Sequence, residues 1–154
     1  MLSDIATINA FLPSDRSEWE RLWSSYLTFY NTSLDQDVYN STWTQIISGL
    51  GPVYAIALRE KNQQDTVVGF AHYLLQHSAW TVGKICYLQD LFIAPTHRRR
   101  GYASVLIHAV AEKAQQHHCE KLYWLTHEDN IGARILYNSI AKFNGFVRYD
   151  YNLG

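Results

Sequence analysis

The stretch Tyr87–Leu106, YLQDLFIAPTHRRRGYASVL, restricts the fold more than any other part of this chain, because it joins two elements of different period. Tyr87 to Ile93 is an apolar run rich in aromatic and β-branched side chains, the composition of a buried strand. Ala94-Pro95-Thr96 ends it, since proline has no N–H to give to a ladder. Arg98, Arg99, Arg100 and Gly101 follow, and the pattern then predicts an amphipathic helix from about Tyr102. A strand, a basic turn, a glycine and a helix start together form an anion receptor. The first amides of a helix lack internal partners and lie at the positive end of its macrodipole, so a phosphate satisfies them. Gly101 lets the backbone come close, and Ala103 has little side chain to obstruct the approach. Two other phosphate motifs do not fit. No Lys-Ser/Thr follows Gly101, as a P-loop requires, and the three spaced glycines of a dinucleotide fingerprint are missing.

The rest of the chain reads as one domain, 1–154, since a length near 150 residues buries about 68–70% of the unfolded surface. Its 47% hydrophobic content supports a core, and a net charge of −1 gives no general attraction to nucleic acid. The arginines are therefore a local feature. Cys86 lies in the apolar strand and Cys119 after a helix, with no pairing logic between them. The seven histidines include His72, His77, His117 and His118, but none has zinc-ligand spacing, so no metal is expected. No apolar run reaches the ~20 residues of a membrane helix, and the N-terminus has no secretory pattern. A cytoplasmic protein is expected.

In chain order, residues 4–10 read as a first strand. Ser14 or Asp15 caps a helix with Glu18 near the capping-box position, and Trp19, Leu22, Trp23, Tyr26, Leu27 and Tyr30 mark its inward face. A polar connection leads to a second helix, about Val38 to Ser48, which stops at Gly49. Val53–Leu58 and Val67–Leu75 read as antiparallel strands around a Glu60–Asp65 turn. His77–Gly83 leads to the central strand at 85–93. A helix over Ala103–His117, a strand over Lys121–Thr126, a helix over Asn130–Lys142 and a closing strand over Phe146–Tyr151 complete the order. Strands 85–93 and 121–126 flank one helix and should be parallel neighbours through a right-handed crossover. The class is thus α/β or α+β: a mixed, mostly antiparallel sheet flanked by helices, with a central parallel pair. Ligands in such sheets bind where strands part at their carboxyl ends, beside the arginine turn.

A second constellation lies downstream, where Asn130, Ala133, Arg134 and Tyr137 share one helix side within an Asn-x-x-Ala-x-x-Leu-Tyr pattern. Together with Arg98-Arg99-Arg100-Gly101-Tyr102-Ala103, this resembles the GNAT superfamily of N-acetyltransferases over nearly the whole chain. WTVGKICYLQDLFI (Trp80 to Ile93) and the early run from Trp19 to Tyr30 are similar to the branch of spermidine/spermine and fungal histone/polyamine acetyltransferases. The resemblance implies that the backbone of Leu91, Phe92 and Ile93 holds the pantetheine arm of acetyl-CoA. Arg98 to Ser104 would wrap its pyrophosphate, and Asn130 and Ala133 would lie beside the cofactor. Tyr137 would protonate the leaving thiolate, and Trp80, Gln89 and Asp90 would line the amine pocket. It also implies a homodimer, with the aromatic closing strand pairing across a two-fold axis. There are two departures: the polyamine branch has Glu-Asp at Gln89-Asp90, and Ser139–Gly145 is longer than the usual turn.

The expected activity is direct transfer of acetyl from acetyl-CoA to a primary amine within a ternary complex. The acceptor is a polyamine, an amino acid or another small amine. Protein lysines or N-termini, and a non-catalytic acyl-CoA-binding module, are the alternatives. Gln89 has no basic group and can only orient a water or the substrate. Either Asp90 holds the ammonium and the proton leaves through water past His127 or Glu128, or Asp90 is itself the base.

Overall fold

The periods read from the sequence become two helical layers on one sheet. The computed structural model describes residues 2–62 and 64–154; Met1 and Gln63, the latter within the expected Glu60–Asp65 turn, lie outside the described residues. The elements are a helical turn α1 (Leu2–Ile5), β1 (Ala6–Asn9), α2 (Arg16–Phe29), α3 (Gln36–Ser48), β2 (Val53–Glu60), β3 (Val67–Gln76), β4 (Ile85–Ile93), α4 (Tyr102–Gln116), β5 (Lys121–Trp124) and α5 (Ile131–Ile140). Strand order is β1-β2-β3-β4-β5. The first three pairings are antiparallel and β4–β5 is parallel, as a crossover through α4 demands. This is the expected mixed sheet with its parallel pair.

Alternation along the strands sends successive side chains to opposite layers. Ile56, Leu58, Ala71, Tyr73 and Leu88 meet Leu106, Ile107, Val110 and Ala114 of α4, with Leu136, Tyr137 and Ile140 of α5 at the margin. Ala57, Phe70 and Phe92 point the other way, onto Trp19, Leu22, Trp23 and Leu27 of α2 and Tyr39, Trp43 and Ile46 of α3. The aromatic stripe of α2 is thus core, each large side chain contributing about 1.5–3 kcal/mol on burial. Gly49 takes a left-handed φ of 66° as the C-cap of α3 and ends the helix where the sequence indicated.

Three expectations are corrected. The first strand is shorter than 4–10, because residues 2–5 are helical and only Ala6–Asn9 pair with β2. Asp15 does precede α2, but its carboxylate makes no cap bond to that helix. It accepts from the Leu12 amide at 2.6 Å and forms a buried ion pair with Arg59 of β2. The closing strand Phe146–Tyr151 is absent: residues 141–154 carry no ladder and are exposed. A strand needs a paired edge or a buried face, and this segment's own chain offers it neither. Phe146, Val147, Tyr149 and Tyr151 stand 74–90% exposed.

Candidate active site

Two irregularities open the sheet at one level. Between β3 and β4 the register passes from His72↔Asp90 to Tyr73↔Leu88, so Gln89 is an extra, unpaired residue. Such a bulge bends its strand. Pairing of β4 with β5 then ends at Leu88↔Trp124, although β4 continues to Ile93. In the resulting gap Leu88, Gln89 and Leu91 face Trp124, Leu125 and Thr126. Tyr26 and Tyr30 reach it from the end of α2, and Ile107 and Tyr137 from α4 and α5. Because α2 covers one face and α4 and α5 the other, the opening joins both sides of the sheet.

On the α4–α5 side, the Tyr137 ring meets Trp124 edge-on at 5.4 Å. Burial, then the neighbouring Tyr30, raises its hydroxyl above the ordinary phenol range, so Tyr137 keeps its proton at neutral pH. Asn130 sits at the N-cap of α5 but makes no cap bond. Its amide donates instead to the Thr126 hydroxyl at 3.1 Å, tying the helix start to the wall of the opening. Arg134 donates to the Glu128 carbonyl at 2.6 Å, and Ala133 is half-buried.

On the α2 side lies Asp90, whose side chain is only 13% exposed. Its Oδ2 is 2.9 Å from His72 Nδ1, and His72 Nε2 accepts from Trp19 Nε1–H at 2.9 Å. Burial first, and then the nearby Asp90 charge, push the Tyr26 hydroxyl far up. Tyr30, whose ring lies 4.9 Å from that of Tyr26, is also raised by burial and stacks on His127 at 5.7 Å.

The arginine turn lies after β4 and borders a separate groove with Ala6, Ile8, Ser104 and His108. Arg99 and Gly101 have left-handed φ values of 61° and 78°, and α4 starts at the next residue. The Tyr102 side chain is core, so this residue offers the turn only its backbone, whereas Ala103 and Ser104 are half-buried. Arg98 donates to the Ile93 carbonyl at 3.1 Å, and Arg100 pairs with Glu60 at 2.7 Å. Glu60 also meets His97 at 3.1 Å, so this acid anchors both ends of the turn.

Of the candidate residues, Gln89, Leu91 and Tyr137 line the opening; Asn130 is tied to Thr126 of its wall, Asp90 follows Gln89 on β4, and Gly101 and Ser104 border a separate groove with Ala6, Ile8 and His108. Trp80 stands apart, 84% exposed in the link before β4 and outside the opening. Sequence reasoning passed over His72 and gave Tyr26 and Tyr30 to the core. The available signal was a single polar residue inside VVGFAHYLL, in a strand otherwise apolar on both faces.

Comparison with known proteins agrees with this fold. Over 152 residues the chain is 29% identical to the D-amino-acid N-acetyltransferase of Saccharomyces cerevisiae, covering 99% of this chain and 94% of that one. A thialysine N-epsilon-acetyltransferase of Bos taurus is 33% identical over 79 residues, 51% of this chain and 46% of that one. A solved aminoglycoside N-acetyltransferase in complex with CoA superposes with a TM-score of 0.81 at 16% identity, over 97% of this chain and 95% of that one. The profile described as the acetyltransferase (GNAT) family matches residues 16–143, and with most of its length inside that match the chain belongs to the GNAT family of N-acetyltransferases.

Proposed function

We propose that this enzyme transfers acetyl from acetyl-CoA to the primary amine of a small cationic acceptor, an amino acid or polyamine, in a ternary complex. The observation that carries the reading is the opening through the sheet, with Tyr137 on one side and Asp90 and Tyr26 on the other.

The residues present fit acetyl-CoA. Gly101 takes a left-handed conformation at the N-cap of α4, leaving the first helix amides for a pyrophosphate, with Arg98, Arg99 and Arg100 around them. Beyond Leu88, β4 has lost its β5 partner, so the Leu91–Ile93 backbone is free to pair with the pantetheine arm on that side. Asn130 and Ala133 flank the same gap. Bound there, acetyl-CoA supplies an acetyl group activated as a thioester.

The protein's own groups supply the rest. An alkylammonium titrates near 10.4, so freeing its nitrogen at pH 7 costs about 4–5 kcal/mol. Asp90 holds the ammonium, and Gln89, exposed at the bulge, orients a water that carries the proton past His127 or Glu128. Tyr137 retains a proton to give to the departing sulfur. No cysteine acts as nucleophile: Cys86 is fully buried, and burial pushes its thiol up to about 12.

The relatives' names support small acceptors, an amino acid in one and thialysine in the other. Free thiols Cys86 and Cys119 suit a cytoplasmic protein, and among the described residues no helix is long and apolar enough to cross a membrane. The enzyme works as a homodimer through its exposed C-terminal segment. The test is thiol release from acetyl-CoA across a panel of polyamines, D- and L-amino acids and lysine peptides. Turnover with small amines is expected. Turnover on peptides alone would assign protein lysines, and binding of acetyl-CoA with no turnover would assign a non-catalytic module.

A further inference from the structure

Nothing in the proposed chemistry uses the buried pair behind Asp90. We propose that His72 is a positioning residue, locked by Trp19 as the neutral Nδ1–H imidazole, which orients the Asp90 carboxylate toward a cationic acceptor and blocks proton escape behind it. The inference rests on the role of Asp90 proposed above and extends it to the residues that enforce that role.

The lock follows from donor inventory. An indole N–H can only donate, so with Trp19 Nε1 at 2.9 Å the facing Nε2 of His72 must present a lone pair. The ring proton then lies on Nδ1, aimed at Asp90 Oδ2 at 2.9 Å; this tautomer is assigned from the hydrogen-bond network. A second proton on Nε2 would set N–H against N–H. The surrounding walls are aromatic: the Trp19, Trp23 and Phe70 ring centroids lie 6.0, 5.1 and 4.8 Å from that of His72. His72 itself is 1% exposed.

The usual order of an Asp–His pair is thereby reversed. In a nucleophile-activating pair the imidazole faces the reactant and the carboxylate stands behind it. Here the imidazole is buried and Asp90 stands in front, near Tyr26 at the opening. A proton placed on Asp90 has no exit through His72, so the pair cannot act as a relay. What it can do is fix the carboxylate through a hydrogen bond to a charged acceptor. The ionisable groups around Asp90 are His72 of β3, Tyr26 of α2, Tyr30 at the end of α2 and Tyr87 of β4; Tyr39 of α3 packs on Trp19 and Trp23, behind the imidazole. None of these neighbours is cationic; Arg148 lies beyond Tyr87 and His127 beyond Tyr30, each one ring removed from the carboxylate.

The test has two arms. In the free protein labelled with 15N-histidine, NMR should show the His72 proton on Nδ1 and a lone pair on Nε2. For kinetics, spermidine and lysine serve as acceptors. His72→Leu should raise KM roughly ten- to a hundredfold with a smaller change in kcat, as expected for one lost hydrogen bond to a charged group. His72→Asn, which restores an N–H near the Nδ1 position, should recover most of that loss. Trp19→Phe removes the donor that fixes the tautomer, so in this variant NMR should show the ring proton shared between Nδ1 and Nε2, with KM raised. A proton on Nε2 in the wild type, or a His72→Leu variant that loses kcat at unchanged KM, overturns the inference. Should His72→Leu not fold, the Asn and Phe variants and the NMR decide alone. No turnover of any amine would instead remove the proposed activity, a failure distinct from a wrong tautomer.

Discussion

Tyr137 packs at the margin of the core and also lines the opening, where we propose it serves as the acid. Its ring packs on Trp124, while burial raises its hydroxyl and keeps it protonated across the neutral range. Tyr137→Phe keeps the packing and deletes the proton. We expect kcat to fall roughly 10²-fold or more, with acetyl-CoA affinity unchanged by calorimetry; retained turnover would leave Tyr137 a packing residue only. Cys86 makes the opposite case, a buried thiol pushed up to about 12. In the native protein a thiol reagent should label Cys119 slowly, because it is half-buried and its thiol is also raised, and should label Cys86 only after denaturant is added. Since the folded pKa of Cys86 exceeds the unfolded value of 9.0, its contribution to stability is complete below pH 9 and is lost as pH rises toward 12. Urea midpoints should fall over that window, and less so in Cys86→Ala. Tyr137 and Asn130 were legible because motif and helical spacing coincide. His72 was not, because its meaning depends on Trp19, 53 positions away in sequence, and on Asp90 across the β3–β4 ladder.

At the scale of elements, the start of α4 carries the cofactor proposal. Gly101→Glu sets a carboxylate against the expected pyrophosphate, but any side chain at a φ of 78° is also strained by about 1–2 kcal/mol. Gly101→Ala separates the two effects. Both variants should lose similar stability, and only the glutamate should weaken acetyl-CoA binding well beyond the alanine; equal affinities would remove the turn from the cofactor site. A second test concerns how α2 is fastened to the sheet. Asp15 and Arg59 are 5% and 4% exposed, and Asn9 Oδ1 accepts from Arg59 Nε at 2.8 Å. Arg59→Ala strands the Asp15 charge and should cost about 3–5 kcal/mol by urea unfolding, whereas Arg59→Met with Asp15→Leu should recover much of it. Periodicity located these elements to within a few residues, since strand and helix periods differ and Gly49 and Pro95 mark two of the breaks. It misplaced the Asp15 side chain, because a capping pattern is local and Arg59 is 44 residues away. The alternation of Phe146–Tyr151 is present in the sequence, yet alternation does not say which edge will receive it.

That edge is a matter for the whole molecule. β5 is the last strand of the sheet and pairs only with β4, so its outer backbone groups have no strand partner. An unpaired edge invites another strand. The segment after α5 supplies a candidate, with Phe143, Phe146, Val147, Tyr149, Tyr151 and Leu153 at 66–93% exposure. So many apolar side chains on one short segment are costly in water and mark an interaction surface. If each copy lays this segment along the β5 edge of the other, both liabilities are met, and the exchange is reciprocal under two-fold symmetry. Light scattering should therefore give twice the chain mass of 17.8 kDa. Deleting residues 143–154 should give a folded monomer, and Val147→Asp with Tyr149→Asp should raise the dimer dissociation constant at least a hundredfold. Because β5 runs directly into Leu125 and Thr126 in the wall of the opening, the truncated monomer should also lose kcat. A wild-type monomer at high concentration, or a truncated chain that still dimerises, would refute the exchange.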